Sequence, residues 1–332
     1  MADRRGIENG YSIPAETPDD LFGIARAYEV SRAFHVANNI DVFTELAGGP
    51  LTLGQLSERT GVNESSLEKV LITAATIGLL VTDGETFTNS LLSDRYLVRG
   101  KSEYVGDAVW LTSGWWGRFH DLSAEIMAQY EARHPGGQGV RHERFIEAMN
   151  DFAANGEADR LADALDLTGR KRLLDVGGGP GTFSAFLCRK YPELGAVVLD
   201  LPDTEPVFSR VVAAYGMSER VKFLPGDIEH IGFGGGYDVV LVSSMMHGER
   251  GDMIPPKAYD ALVPGGCLVV RDFILHPEKD GPLAAALFNM RMGAYTEDQM
   301  IGFLRAAGFE EIGSRPLGDF TLITGKKPPQ SL

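Results

Sequence analysis

The chain has 332 residues, 44% hydrophobic and 23% charged, with a formal net charge of -15. That length accommodates two domains with separate cores, and the composition is that of a globular protein. The acidic balance argues against a nucleic-acid partner held by phosphate neutralisation, and no apolar run approaches the length of a membrane span or a signal peptide, so no membrane partner and a cytoplasmic location are expected.

Residues 1–18 carry Gly10, Pro14 and Pro18 without periodicity and are expected to form a flexible tail. Asp19 and Asp20 would then cap an amphipathic helix from Leu21 to Asn38. A compact set of signals follows: a short helix from Leu53 to Glu58, a turn at Gly61-Val62-Asn63, a helix from Ser65 to Ile77 ended by Gly78, and a hairpin turning at Asp83-Gly84. Helix, turn, helix and hairpin make a winged-helix domain over residues 19–100. Many such domains bind DNA, but here the second helix reads Glu64-Ser65-Ser66-Leu67-Glu68-Lys69 and the wing Thr82-Asp83-Gly84-Glu85 is acidic. A base reader presents Arg, Asn or Gln instead.

Residues 101–155 read as a helical linker holding all three tryptophans, Trp110, Trp115 and Trp116, a loop at Pro135–Gly139, and a helix running from Phe145 toward Asp166. These aromatics suit a core or subunit contact, and they also suit the roof of a pocket for a flat substrate.

From Thr168 strand and helix alternate, with strands expected at 172–176, 196–200, 221–224, 237–242 and 267–273 and a C-terminal hairpin near 309–313 and 319–324. Alternation of this kind implies an α/β, doubly wound parallel sheet over residues 156–332. Right-handed crossovers would line up the strand ends, and with them Gly177, Asp200, Asp227 and Ser243, along one edge. The first strand runs into Gly177-Gly178-Gly179-Pro180-Gly181, where Gly177, Gly179 and Gly181 fall at every second position, unlike the wider G-x-G-x-x-G of dinucleotide sites. Asp200 ends the second strand, where a carboxylate accepts hydrogen bonds from ribose hydroxyls. An adenosine-containing ligand follows from this order of parts.

Leu174-Asp175-Val176-Gly177-Gly178-Gly179-Pro180-Gly181 and Val198-Leu199-Asp200-Leu201-Pro202 resemble the S-adenosylmethionine-dependent small-molecule O-methyltransferases that include the caffeate, hydroxyindole and antibiotic enzymes. The resemblance covers nearly the whole chain. It implies a Rossmann-like catalytic domain, an N-terminal winged helix serving homodimerisation, S-adenosyl-L-methionine as cofactor and a small, aromatic, hydroxylated substrate. Gly177, Gly179, Asp200, Leu201, Asp227, Ile228 and Ser243 would then contact the cofactor, with Asp227 on the adenine amino group and Ile228 over the ring. On spacing alone Asp227 also serves as a turn cap.

By the same resemblance His247 is the general base and Asp272 the carboxylate that orients it and favours its charged form. An isolated histidine is also a common structural residue, and Asp272 also suits pairing with a neighbouring Arg. Phe145, Met149, Asn289 and Met290 match substrate-contacting positions of the family, and Trp115 and Trp116 are candidates for the same pocket. The chain departs from the family pattern in three places. Gly248-Glu249-Arg250 follows the histidine in place of Asp-Trp, Ser243 stands where a Lys or Arg is frequent, and Arg291–Thr296 lacks the second carboxylate. No metal is expected, since His247 has no partner at ligand spacing. Transfer to nitrogen or carbon, a non-methylating reaction at the same cofactor site, and a cofactor-sensing regulator are the other readings.

Overall fold

The computed structural model describes residues 6–8, 11–13, 16–133, 141–248 and 250–329. The chain forms two compact units, one of Met1–Pro135 with Leu275–Arg291 and the other of Gly136–Ile274 with Met292–Leu332.

The first unit opens with strands β1 (Gly6–Glu8) and β2 (Tyr11–Ile13), which pair antiparallel, so the segment expected to be a tail carries regular structure; its residues 1–5, 9–10 and 14–15 lie outside the described set. Helix α1 (Pro18–Arg26) is capped by Thr17, not by the expected Asp19-Asp20 pair. The Thr17 hydroxyl accepts from the Asp20 N–H at 3.2 Å and the Asp20 carboxylate accepts from the Thr17 N–H at 2.9 Å, a reciprocal box with Pro18 in the first turn. Helices α2 (Tyr28–Asn39) and α3 (Val42–Glu45) and strand β3 (Leu51–Thr52) follow. Thr52 caps α4 (Leu53–Thr60) and Asn63 caps α5 (Glu64–Thr76), with left-handed Gly61 closing the turn between them. Strands β4 (Leu80–Thr82) and β5 (Thr86–Asn89) complete a three-stranded sheet in the order β3-β5-β4. Leu56, Leu67, Leu71, Ala74 and Phe43 are fully buried between these elements.

Helix α6 (Leu91–Tyr96) leads to the 28-residue α7 (Gly106–Arg133), which is tied to α2 by Asn38 donating to the Gly106 carbonyl at 3.0 Å and Asn39 donating to Ser113 at 2.9 Å. Trp116 lies 5.7 Å from the Tyr28 ring and under the Arg32 guanidinium. The loop expected at Pro135–Gly139 falls almost wholly among residues 134–140, outside the described set.

In the second unit, α8 (Arg141–Phe152) does not run on toward Asp166 as the sequence suggested. A π turn at Ala153–Glu157, with Asn155 and left-handed Gly156 out of helical geometry, separates it from α9 (Ala158–Ala164). Five parallel strands follow: β6 (Arg172–Val176), β7 (Gly195–Asp200), β8 (Val221–Pro225), β9 (Tyr237–Ser243) and β10 (Leu262–Asp272). β10 starts earlier than expected and absorbs Pro264-Gly265-Gly266 as an irregularity in its pairing with β9. Helices α10 (Thr182–Lys190), α11 (Glu205–Ala214) and α12 (Ile254–Ala261) connect them. The chain passes back to the first unit for α13 (Leu283–Met292); after α14 (Glu297–Ala306) of the second unit, the antiparallel strands β11 (Glu310–Leu317) and β12 (Phe320–Lys326) close the sheet in the order β11-β12-β10-β9-β6-β7-β8.

Alternation of side chains along the strands makes two cores. Leu174, Val176, Val240, Val242, Leu268 and Val270 pack with α12 and α14 on one face, while Leu173, Val239, Leu241 and Val269 pack with α9, α10 and α11 on the other. β6 lies between β7 and β9, so the chain leaves it to one side and later returns to the other. The crevice at the carboxyl ends of β6, β7 and β9 is therefore where a ligand binds in a sheet of this kind.

Candidate active site

A cavity of about 330 Å³ occupies that crevice. Of the expected cofactor and substrate residues, Gly177, Gly179, Asp200, Leu201, Asp227, Ile228, Ser243, Phe145 and Met149 all line it. The glycine turn is shaped by close approach as well as by dihedrals. Gly179 sits at φ +52, and a Cβ there would meet no protein atom within 4 Å, so the backbone borders open space. At Gly178 an added Cβ would fall 2.5 Å from the carboxyl carbon of Asp175, which is fully buried and receives the Ser184 hydroxyl at 2.7 Å. Burial pushes the Asp175 carboxyl up to about 7.

Asp200 is held by three donors: the Gly179 N–H at 2.8 Å on one oxygen, and the Leu201 N–H at 2.7 Å and Thr204 hydroxyl at 3.2 Å on the other. An ionised carboxylate offers roughly four acceptor sites, so one is left for a hydroxyl from the cavity. The residues present thus fit an adenosine ligand: an open glycine backbone, an oriented carboxylate with spare capacity, and apolar Leu201 and Ile228 beside it. Asp227 is more engaged than the sequence suggested. It accepts from the Glu229 N–H at 2.9 Å and lies 2.9 Å from Nδ1 of His230, contacts that hold its carboxyl below the usual range. Lys257 donates to the carbonyls of Ile228 at 2.6 Å, Glu229 at 3.2 Å and Ile231 at 3.1 Å, fixing the turn that carries Asp227 and Ile228.

Beyond β9, Ser244 takes a left-handed conformation and its N–H donates to the Arg271 carbonyl at 2.8 Å, which turns the chain sharply into Met245, Met246 and His247. Asp272, fully buried, accepts from the Met246 N–H at 2.7 Å and from the Phe273 N–H at 2.8 Å. Its carboxylate thus anchors the main chain one residue before His247. Burial pushes Asp272 up to about 6 against these bonds. His247 is buried, and burial together with the charge of Arg250 lowers its pKa from the ordinary value, opposite to the expectation that a carboxylate would favour the charged ring. Both causes favour the neutral imidazole over the charged one. Met245 and Arg250 line the cavity; His247 and Asp272 are not among its lining residues.

Ser243 plays a second part: its hydroxyl accepts from Arg271 at 3.3 Å. Arg271, 3% exposed, pairs with Glu157 at 2.5 Å and lies over the Phe320 ring. Among the described residues no cluster of three or more His, Cys, Asp or Glu is arranged for a metal ion.

Trp115, Trp116, Asn289 and Met290 belong to the first unit. Both tryptophans are exposed on α7, Asn289 is buried, and Met290 packs against the first unit's core. Sequence reasoning missed His142, Ile146, Met245 and Arg250 in the cavity wall. His142 starts α8 and contacts the Thr204 hydroxyl at 3.2 Å, the same hydroxyl that serves Asp200. Helical spacing of Phe145 and Met149 could have flagged His142 and Ile146 as neighbours on one face, three or four residues away.

Comparison with known proteins gives a consistent picture. A family model described as the O-methyltransferase domain matches residues 128–310, and one described as the O-methyltransferase dimerisation domain matches residues 22–99. The chain is 30% identical over 331 residues to the tetracenomycin polyketide synthesis 8-O-methyl transferase TcmO of Streptomyces glaucescens, covering 94% of this chain and 97% of that protein. It is 28% identical to the 3-hydroxy-5-methyl-1-naphthoate 3-O-methyltransferase of Streptomyces sahachiroi, over 92% of this chain and 94% of that one. In fold it matches an O-methyltransferase family 2 protein from Planctomyces limnophilus with a TM-score of 0.79 at 23% identity, covering 95% of this chain and 97% of that chain.

Proposed function

Because the chain belongs to the S-adenosylmethionine-dependent O-methyltransferase family, we propose that it methylates a hydroxyl of a fused-ring aromatic metabolite of polyketide type, with His247 as general base. The observation that carries this reading is the cavity at the sheet's switch point, which gathers Gly177, Gly179, Asp200, Asp227 and Ile228 beside the turn leading to His247. S-adenosylmethionine, when bound, supplies a methyl group on a sulfonium and so needs alignment more than activation. Gly177, Gly179, Asp200, Leu201, Asp227, Ile228 and Ser243 hold it in this proposal. Phe145 and Met149, also in the cavity wall, contact the substrate in this proposal.

An aromatic hydroxyl with a pKa of about 10 is mostly protonated at neutral pH. His247, neutral because it is buried and faces Arg250, is ready to take that proton, a contribution of roughly 10²–10⁴-fold. Asp272 acts on it through the Met246 main chain. The exposed Trp110, Leu111, Phe119, Leu122 and Ile126 of α7 and the dimerisation-domain match support a homodimer formed through the N-terminal domain. Two free thiols, Cys188 and Cys267, suit the reducing cytoplasm. Among the described residues no helix is long and apolar enough to cross a membrane.

The test is a panel of hydroxynaphthoates, hydroxyanthraquinones and hydroxyflavones incubated with isotopically labelled S-adenosylmethionine and read by mass spectrometry. Label on an acceptor oxygen with wild type, and at least about a hundredfold less with His247→Gln, is the expected result. Equal turnover by the two proteins would remove His247 from the chemistry.

A further inference from the structure

The segment that lacks the family's second carboxylate, Arg291–Thr296, contains Tyr295, and its hydroxyl lies on the turn that follows His247. That hydroxyl donates to the Gly248 carbonyl and accepts from the Gly251 N–H at 3.4 Å, so one oxygen ties together both ends of the Gly248–Gly251 turn. The ring is itself fixed. It stands edge-on to Phe303 of α14, with centroids 4.8 Å apart, and a Cβ added at Gly251 would come within 2.8 Å of it. Inside the turn the Arg250 N–H donates to the His247 carbonyl at 3.4 Å, and the Arg250 side chain reaches Glu229 at 3.3 Å. On the other side of His247, Asp272 holds the Met246 N–H.

We propose that Tyr295 is a positioning residue for His247: its hydroxyl and the Asp272 carboxylate grip the main chain on either side of the histidine and hold the imidazole in its buried setting. This rests on the reading of His247 as base for its catalytic meaning, though not for its geometry. The physical reason is economy of restraint. A histidine on a loop is placed only as well as its flanking peptide bonds, and here one flank ends in a turn with left-handed Gly248, which has little conformational preference of its own. A phenol that both donates and accepts can close such a turn as a single group. The charged group that acts on the imidazole is Arg250, which belongs to the turn that Tyr295 holds; the Asp272 carboxylate of β10 is taken up by the Met246 and Phe273 N–H groups and Arg271 by Glu157 and Ser243.

The test is Tyr295→Phe, which keeps the ring against Phe303 and removes only the oxygen. The His247 ring is titrated by NMR in the full-length protein with labelled histidine, its resonance assigned by loss in His247→Gln. Release of the turn admits water and frees Arg250, the two causes that depress His247, so its titration moves upward toward about 6.5. S-adenosylhomocysteine affinity, read by calorimetry, stays within about twofold, because Asp200 and Asp227 are held by Gly179, Leu201, Thr204, Glu229 and His230 and not by Tyr295. An unchanged titration would overturn the proposal. Loss of S-adenosylhomocysteine binding or of a cooperative melt in Tyr295→Phe would equally overturn it, by making the hydroxyl a general structural tie. Since this readout needs no turnover, it separates from the base assignment, which His247→Gln decides on the acceptor panel.

Discussion

Three ionisable residues near the strand ends are tuned by burial in ways that make separate predictions. The folded chain holds a proton on Asp175 up to about pH 7, while an unfolded aspartate releases it near 4, so folded molecules bind more protons across that window and stability falls as pH rises through it. Asp272, up to about 6, adds the same sign over a narrower range. Thermal melts of Asp175→Asn should therefore gain on wild type progressively between pH 5 and 8; parallel melting curves would contradict the burial argument. For His247 the sign runs the other way. Burial and Arg250 push it down, so activity lost to protonation should set in below about pH 6.5, and Arg250→Gln should move that limb of the kcat/KM profile upward. At this scale the sequence was readable where chemistry follows local order. The positions of Asp200 and Asp227 were legible because each ends or follows a strand, and that of His247 because it follows β9. The contacts of His142 with Thr204, Arg250 with Glu229 and Tyr295 with Gly248 were not, since each joins segments far apart in the chain and nothing in the local residues announces the partner.

Among elements, the break between α8 and α9 has a definite cause and a definite cost. The π turn at Ala153–Glu157 brings Glu157 onto Arg271 of β10, a guanidinium that is 3% exposed and lies over the Phe320 ring at 3.3 Å. Glu157→Ala would leave that charge buried without its carboxylate and should cost about 3–5 kcal/mol, measured by denaturant unfolding. A loss below about 1 kcal/mol would mean that the pair is solvated. The turn was hidden in the sequence because Asn155-Gly156 inside an apolar period reads as a tolerated glycine, and only the distant Arg271 gives the kink a purpose. The helices and turns of residues 52–78 were far more legible, since Thr52, Gly61, Asn63 and Gly78 mark their own caps and turns locally. The first turn of α1 carried the same kind of signal in Thr17-Pro18-Asp19-Asp20, where the cap lies one residue before the proline.

For the whole molecule, the family membership makes the chain an O-methyltransferase, and the dimerisation-domain match over residues 22–99 supports a homodimer. Gel filtration with light scattering should return a dimer at micromolar concentration. Phe119→Glu, at a site 69% exposed on α7, should shift it toward monomer while leaving the cooperative melt intact. A wild-type monomer would contradict the interface assigned to that helix. The measurement that tests the central claim most directly is calorimetric titration of the purified protein with S-adenosylhomocysteine, on wild type and Asp200→Ala. Micromolar binding that weakens at least about tenfold in the variant is predicted, because a hydrogen bond to a charged carboxylate contributes roughly 1.5–3 kcal/mol. Unchanged affinity in a folded variant, or no binding by folded wild type, would contradict the placement of the cofactor in the switch-point cavity.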